Sequence, residues 1–234
     1  MKKTIIAIGG GEIKTKQTLD IDRFVVDYVK QRIPADKRPY GLFLGTASHD
    51  SMPYFNSYRK TYTSVLDVKA DCALSVYGEM DFEHIREKFL KADFLYVGGG
   101  DTKFLMEKWR ESGIYDLVAD AYDRGVVIVG LSAGAICWFK DIYSDYDIIG
   151  GQSGEYKLLK GFGWIDDLAC PHYDDRHEFD QTFLNSEQTS AYGLENNAAL
   201  VFENLVPVKT VSAGGNVYRL VKENGKLVKT VLKL

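Results

Sequence analysis

Two kinds of segment alternate over residues 1 to 140, and this alternation limits the folds open to the chain. Short apolar runs, most of them ending in glycine, alternate with longer segments in which apolar residues recur every three or four positions. This pattern is typical of βαβ units around a parallel sheet. It predicts strands at residues 4–8, 40–45, 70–76, 94–97 and 126–131, and helices at 20–32, 53–66, 82–90, 102–111 and 115–124. We therefore expect an α/β fold with a mainly parallel central sheet flanked by helices.

The pattern changes after Trp138. Residues 141–163 contain many Asp, Gly and Tyr residues and few long apolar runs, which indicates loops and short strands. A helix is predicted at 175–187, followed from residue 191 by short antiparallel strands with turns at 214–216 and 223–225. Because no Pro- or Ser-rich linker and no internal repeat interrupts the chain, residues 1–234 are predicted to form a single domain.

Charge and cysteine content exclude several classes of partner. The 29 Lys and Arg residues against 33 Asp and Glu give a net charge of -4, which offers no long-range attraction to nucleic acid or to an anionic membrane. The first apolar run ends at the glycines of residues 9–11, too soon for a signal-peptide core, and no run approaches the roughly 20 apolar residues of a spanning helix. The three cysteines, Cys72, Cys137 and Cys170, form neither a disulfide framework nor a zinc pattern, which favours a reducing compartment. We expect a cytoplasmic protein, with a homodimer as a possible assembly.

The strongest local motif is Gly130-Leu-Ser-Ala-Gly134, which follows a predicted strand and opens a predicted helix. A G-x-S-x-G motif in that context is a nucleophile elbow, in which a tight turn projects the hydroxyl of Ser132 from the carboxyl edge of the sheet. The N–H of Ala133 would then point toward a developing oxyanion. The alternative is a glycine-rich turn in which Ser132 only caps the helix.

A second glycine cluster, at residues 98–100, ends another predicted strand just before a helix. Ligands of open α/β sheets bind at the carboxyl ends of strands, so both turns can face one crevice. Gly99 and Gly100 are therefore candidates for the second oxyanion donor. A phosphate-binding loop is the alternative reading of this cluster and of the glycines at 9–11, but neither has G-x-G-x-x-G spacing or a Walker lysine.

A serine nucleophile needs a base, and the chain offers four histidines. His84 lies in a charged helix, His49 in a loop and His177 at the start of a polar helix, all typical of surface histidines. His172 differs because it follows an apolar strand that ends at Pro171, so a rigid strand end delivers it into a loop. His172 is the candidate base, with a surface loop histidine as the alternative.

The base needs an acceptor that orients it. Glu195 lies at the end of a predicted strand and is the first candidate, and Asp147, 15 residues after Ser132, is the second. A hydrated surface carboxylate is the alternative for both.

Three motifs together resemble the aspartyl dipeptidase (peptidase E-like) family of serine peptidases, to which cyanophycinases also belong. They are the glycine turn at residues 96–102 (YVGGGDT), the elbow at 130–135 (GLSAGA) and the histidine motif at 171–173 (PHY). The resemblance covers most of the chain and matches in motif order and separation. It implies a fold like the class I glutamine amidotransferases, with serine in place of the cysteine nucleophile, and it carries over Ser132 and His172.

The resemblance leaves the acceptor open. Relatives usually carry a glutamate three positions after the glycine that matches Gly193; here that position is Asn196, and the glutamate stands one residue earlier at Glu195. Asp147 matches an aspartate once assigned as the charge-relay residue of the family. We rank Glu195 first, Asp147 second and Asn196 third, since an asparagine can also orient an imidazole.

These residues predict a serine peptidase that acts through an acyl-enzyme and requires no metal or organic cofactor. The resemblance suggests short peptides with an acidic residue before the scissile bond, and Arg176 is a candidate cation for that carboxylate. The alternatives are an α/β esterase, whose usual chain order of serine, acid and histidine differs from the order expected here, and a non-catalytic binding protein that retained the elbow. A glutamine amidotransferase is disfavoured because no cysteine occupies the elbow.

Overall fold

Two β-sheets organise the structure, a computed structural model that describes residues 2–78, 80–152 and 154–234. The strands of these residues are β1 (Thr4–Ile8), β2 (Tyr40–Leu44), β3 (Lys69–Ala73), β4 (Phe94–Val97), β5 (Val127–Leu131), β6 (Phe139–Ser144), β7 (Lys157–Lys160), β8 (Ile165–Pro171), β9 (Ser190–Leu194), β10 (Ala198–Glu203), β11 (Val206–Ser212), β12 (Val217–Glu223) and β13 (Lys226–Val231). The α-helices are α1 (Leu19–Lys30), α2 (Met52–Ser64), α3 (Phe82–Lys91), α4 (Thr102–Ser112), α5 (Ile114–Asp123), α6 (Ala133–Ile136), α7 (Tyr146–Ile149) and α8 (Phe179–Asn185).

The first sheet has seven strands in the order β11-β10-β1-β5-β4-β2-β3. Its five N-terminal strands run parallel, and β10 and β11 add antiparallel at one edge. Every residue of β1, β2, β4 and β5 is buried, as expected for strands covered by helices on both faces. The register pairs Ile8 with Leu131 and Val97 with Gly130, so β1, β4 and β5 end side by side. This confirms the predicted parallel sheet and aligns its glycine turns.

The helices predicted in the first half of the chain are present, and each end lies within two residues of its predicted position. Amphipathic patterning accounts for them: α1, for example, buries Ile21, Val25 and Val29 on one face. The carboxylate of Asp101 caps α4 by accepting the N–H of Phe104.

The second sheet has six strands in the order β13-β12-β9-β8-β6-β7. Here β8 lies parallel to both β6 and β9, whereas the other pairings are antiparallel. For this part of the chain the sequence predicts loops and short strands, a helix at 175–187 and antiparallel strands at the C-terminus. This part of the chain lacks the regular alternation of strands and helices that predicts the first sheet, so the sequence does not indicate that β6 and β8 pair with each other. The hairpin predicted at 223–225 does connect β12 and β13.

The chain crosses between the two sheets at residues 195–197. β9 ends in the second sheet at Leu194, and β10 begins in the first sheet at Ala198, antiparallel to β1. The predicted helix at 175–187 is shorter in the structure, as α8, and the segment between β8 and α8 forms turns. Loops after β8 and β9 therefore meet the carboxyl edge of the first sheet.

An apolar cluster joins the two sheets. It contains Ala7 and Ile128 of the first sheet, Phe139 and Tyr192 of the second, and Trp138 between them. The single domain over residues 1–234 stays a prediction, with which this shared cluster agrees. Among the described residues, each helix is too short or too polar to cross a bilayer.

Candidate active site

Ser132 lies on a sharp turn between β5 and α6 with backbone angles φ 52° and ψ −111°. This positive φ is unfavourable for a residue with a side chain and costs on the order of 1–3 kcal/mol. The turn is tight: a Cβ on Gly130 would lie 1.9 Å from the carbonyl oxygen of Gly134, and one on Gly134 would lie 2.2 Å from that of Val97. The two glycines of the motif are therefore required by contact, and the turn has the geometry of a nucleophile elbow.

His172 follows the last residue of β8 and faces Ser132. Its backbone N–H donates to the carbonyl oxygen of Gly9 at 3.0 Å, which ties the loop to the end of β1. Its Nε2 lies 2.8 Å from Ser132 Oγ, and its Nδ1 lies 2.7 Å from Oδ1 of Asn196. Ser132, His172 and Asn196 thus form one hydrogen-bonded chain.

The bonds of Asn196 set the direction of that chain. Its Nδ2 donates to the carboxylates of Asp174 and Asp175, so its Oδ1 is the atom that faces His172. Because an amide oxygen only accepts, the hydrogen of the neutral imidazole lies on Nδ1. Nε2 then carries the lone pair and accepts from the Ser132 hydroxyl.

The structure corrects the ranking of the acceptor. Glu195, ranked first, accepts hydrogen bonds from the backbone and side-chain nitrogens of Asn216 at 2.8 and 3.1 Å. Asp147, ranked second, is buried and forms an ion pair with Lys157. Both ring nitrogens of His172 are occupied by other groups. Glu195 and Asn196 both lie in the crossover between the sheets. Consecutive side chains point in different directions there, so Asn196 faces His172 and Glu195 does not.

Arg176 is not placed to meet a substrate. Its side chain is 3% exposed, and its guanidinium donates to the Tyr143 carbonyl at 2.6 Å and pairs with Asp145 at 3.1 Å. It also stacks over the ring of Tyr156. The expectation that Arg176 binds an acidic substrate is therefore corrected: it is a structural cation that joins the histidine loop to the second sheet.

The glycine turn after β4 lies beside the serine. An added Cβ on Gly99 would come within 3.3 Å of Ser132 Cβ, which shows how closely the two turns approach. Of the three predicted oxyanion donors, Gly99 already donates its N–H to the hydroxyl of Tyr54 at 3.2 Å. For the N–H groups of Gly100 and Ala133, no acceptor is found in the described part of the chain. Burial raises the pKa of Tyr54 to about 12, so its phenol is neutral at ordinary pH.

Burial lowers the pKa of His172 below its usual value. Desolvation is the largest cause and the Arg176 guanidinium adds to it, whereas the hydrogen bond that Nδ1–H donates to Asn196 and the charges of Asp145 and Asp175 oppose it. A neutral imidazole whose Nε2 lone pair accepts from the hydroxyl of the nucleophile is the state that a general base requires.

The glycines at residues 9–11 contribute to the site, which our sequence reading missed. A Cβ on Gly10 would lie 2.2 Å from Asn196 Oδ1 and 2.3 Å from His172 Nδ1. Gly10 also accepts the backbone N–H of Asn197 at 3.0 Å. This turn therefore packs directly against His172 and Asn196. Like the turn at 98–100, it lies at the end of a buried strand, and this position could have identified it as part of the site.

A cleft of about 550 Å³ opens over the serine. It is lined by Glu12, Lys14, Tyr54, Gly99, Ser132 and His172, among others. Its charged side chains are one carboxylate, Glu12, and one ammonium, Lys14. Among the described residues, no group of three or more His, Cys, Asp or Glu side chains is arranged to hold a metal ion.

A serine on an elbow, hydrogen-bonded to an oriented histidine at the carboxyl edge of an α/β sheet, is the arrangement of serine hydrolases. Comparison with known proteins narrows this class. The sequence model of peptidase family S51 matches residues 5–206, and the chain belongs to this family of serine peptidases.

The relatives agree with this assignment. The chain is 32% identical over 225 residues to a Bacillus subtilis (strain 168) protein named "Uncharacterized peptidase YgaJ", with 93% of this chain and 92% of that protein covered. It is 47% identical over 45 residues, 19% of the chain and 20% of the relative, to a protein named Peptidase E from Salmonella newport (strain SL254). The crystal structure of a peptidase from an acI-B1 Actinobacterium is similar, with a TM-score of 0.75 and 18% identity over 100% of this chain and 95% of that one. This last similarity shows a shared fold.

Proposed function

We propose that this peptidase hydrolyses short peptides, Asp-Xaa dipeptides first among them, with Ser132 as nucleophile, His172 as general base and Asn196 as the orienting acceptor. The observation that carries the proposal is the continuous hydrogen-bonded chain from Ser132 Oγ through both ring nitrogens of His172 to Asn196 Oδ1. Such a chain activates a hydroxyl that is otherwise a weak nucleophile.

In the acylation step, Ser132 Oγ attacks the peptide carbonyl carbon while His172 Nε2 takes the hydroxyl proton. The C–N bond then breaks, and the protonated imidazole donates that proton to the leaving amine. Water repeats the sequence in deacylation: His172 takes its proton, the ester bond breaks, and the proton returns to Ser132. Throughout, Asn196 holds Nδ1–H and keeps the ring oriented.

The negative charge on the carbonyl oxygen needs donors during both steps. Gly100 and Ala133 supply them in our proposal, because the N–H of Ala133 opens α6 and neither group has an acceptor among the described residues. Gly99 is not one of the proposed donors, because its N–H already donates to the Tyr54 hydroxyl, which lies at the wall of the cleft.

The charges in the cleft support a small substrate with both signs of charge. A dipeptide that begins with Asp carries an ammonium group and a side-chain carboxylate near the scissile bond. Glu12 can bind the first and Lys14 the second, in the place once expected for Arg176. The resemblance of the three motifs to the aspartyl dipeptidase family suggests the same class of substrate.

A dipeptide library tests this proposal. Wild-type protein and Ser132→Ala are incubated with Asp-Xaa, Asn-Xaa and N-acetyl-Asp-Xaa substrates, and released amino acids are quantified. We expect cleavage of Asp-Xaa by wild type only, weaker cleavage of Asn-Xaa, and weaker cleavage after Lys14→Met. Equal cleavage by Ser132→Ala would overturn the nucleophile, and equal cleavage of all three substrate classes would overturn the proposed recognition by Glu12 and Lys14.

A further inference from the structure

We propose that Asp174 and Asp175 are positioning residues that lock the amide of Asn196 in the one orientation that allows His172 to act as a base. The inference rests on the proposed site of Ser132, His172 and Asn196, and adds to it the two residues that hold the side chain of Asn196. Neither carboxylate contacts the reacting atoms, so both act through Asn196.

The contacts are directional. Asn196 Nδ2 donates to Asp175 Oδ2 at 2.7 Å and to the two oxygens of Asp174 at 3.2 and 3.1 Å. The backbone N–H of Asn196 donates to the same Asp174 at 2.8 Å. Asp174 thus binds both the backbone and the side chain of Asn196, whereas Asp175 binds the side chain alone.

An ionised carboxylate accepts hydrogen bonds and cannot donate them. Rotating the Asn196 amide by 180° would place its oxygen against Asp174 and Asp175, with three acceptors facing one another. The same rotation would present an N–H to His172 Nδ1, which would have to become an acceptor. The ring hydrogen would then lie on Nε2, and Nε2 could no longer take the proton of Ser132.

An asparagine at position 196 therefore needs neighbouring groups that fix the orientation of its amide. A carboxylate there would not need them, because both of its oxygens accept hydrogen bonds. Asp174 and Asp175 fix this orientation through hydrogen bonds more than through their electrostatic field. Both carboxylates are exposed, so solvent screens their charges, whereas Asn196 is half-buried. The other charged groups that act on His172 are Arg176 and Asp145, which are paired with each other.

The first test neutralises both carboxylates. In Asp174→Asn with Asp175→Asn, each new amide can donate as well as accept, so the preference for one orientation of Asn196 is lost. We expect kcat on Asp-Xaa dipeptides to fall by roughly two- to tenfold with KM nearly unchanged, because only the fraction of molecules with the hydrogen on Nδ1 can act. Asp175→Asn alone keeps the backbone bond to Asp174 and serves if the double variant does not fold.

A direct measurement does not depend on turnover. Long-range ¹H–¹⁵N NMR of histidine-labelled protein reports the tautomer of each ring, with the His172 signal identified by its loss in His172→Gln. We expect the Nδ1–H tautomer in wild type and a mixture of tautomers in the neutralised variants. An unchanged tautomer in folded variants would overturn the positioning role.

A second variant pair tests the sign of the effect. In Asn196→Asp the new carboxylate is crowded by Asp174 and Asp175, so we expect reduced activity. In that background, neutralising Asp174 and Asp175 should raise kcat, although the same changes lower it in wild type. A purely structural role would lower kcat in both backgrounds, and that result would overturn the proposal.

The two proposals fail differently. If wild type shows the Nδ1–H tautomer and the neutralised variants show a mixture, the positioning role stands even when no dipeptide is cleaved. If Asp-Xaa dipeptides are cleaved but neither the tautomer nor kcat responds, the peptidase site stands and the role of Asp174 and Asp175 is overturned.

Discussion

The first sheet and the second sheet contribute to the site by different physical means. The first supplies Ser132 and the glycine turns, whose positions follow from backbone geometry at the ends of parallel strands. The second supplies His172 and Asn196, which lie on loops and are held by hydrogen bonds to residues far away in sequence. The proposed nucleophile is thus positioned by local sterics, whereas the proposed base and its acceptor are positioned by tertiary contacts.

The largest effect should come from breaking the second-sheet contribution at Asn196. Asn196→Ala removes the acceptor of His172 Nδ1–H, and we expect kcat/KM to fall by roughly 10³-fold because the ring loses its tautomer and orientation. Glu195→Gln is the matched neighbour and should change kcat/KM by only about twofold. Dipeptide kinetics on both variants measures this. The reverse ranking would show that Glu195 is the functional acceptor and that the comparison is mistaken.

The contact between the two regions can be broken at Gly10. A Cβ there would lie 2.2 Å from Asn196 Oδ1, so Gly10→Ala should displace the acceptor and lower kcat by roughly 10²-fold. Gly154→Ala adds a methyl group with no atom within 4 Å and serves as the control. Steady-state kinetics with melting temperatures separates misplacement from unfolding. Equal kcat in both variants would mean that the turn after β1 does not shape the site.

The helix layer of the first sheet should control the pH dependence of stability. Asp22 is buried, and desolvation raises its pKa to about 6 although Tyr62 and Thr18 donate hydrogen bonds to it. The folded state therefore favours the protonated acid, and the stability this contributes is present at pH 4 and lost as the pH rises through about 6. Asp22→Asn should remove the dependence, with a relative gain on the order of 3 kcal/mol at pH 8 compared with pH 4.

Urea unfolding of wild type and Asp22→Asn at pH 4, 6 and 8 measures the difference, with Asp20→Asn on the exposed face of the same helix as the control. If the free energies of unfolding of wild type and Asp22→Asn change with pH in parallel, Asp22 does not cause the pH dependence.

The smallest effect concerns the pH dependence of activity, which should arise in the second-sheet region. Burial lowers the pKa of His172, so the acidic limb of kcat/KM should lie below the ordinary value of 6.5. Asp175 opposes this shift, and Asp175→Asn should therefore move the midpoint further down. Profiles of kcat/KM between pH 4 and 8 measure both. A midpoint above 6.5 would indicate that the imidazole is stabilised as a cation.

Much of the first sheet could be predicted from the sequence. β1 and β4 match their predicted bounds, and Ser132 was identified because two glycines flank it at a strand end. These features are local: burial on both faces yields apolar runs, and a tight turn excludes side chains. The hairpin of β12 and β13 was predicted, but the rest of the second sheet was not, because no βαβ alternation indicates which of its strands pair. Asn196 was ranked below Glu195 because one residue decides which side chain faces His172.

The sequence by itself determined the class of fold, through the alternation of segments over residues 1 to 140. It also predicted Ser132 and His172 as site residues, from residue types within a few positions of each. Only the tertiary structure decided that Asn196 accepts from His172, that Arg176 is buried against Asp145, and that Gly10, Asp174 and Asp175 surround the pair. The physical reason is that hydrogen bonds between loops require distances and directions, and these exist only after two sheets have packed together.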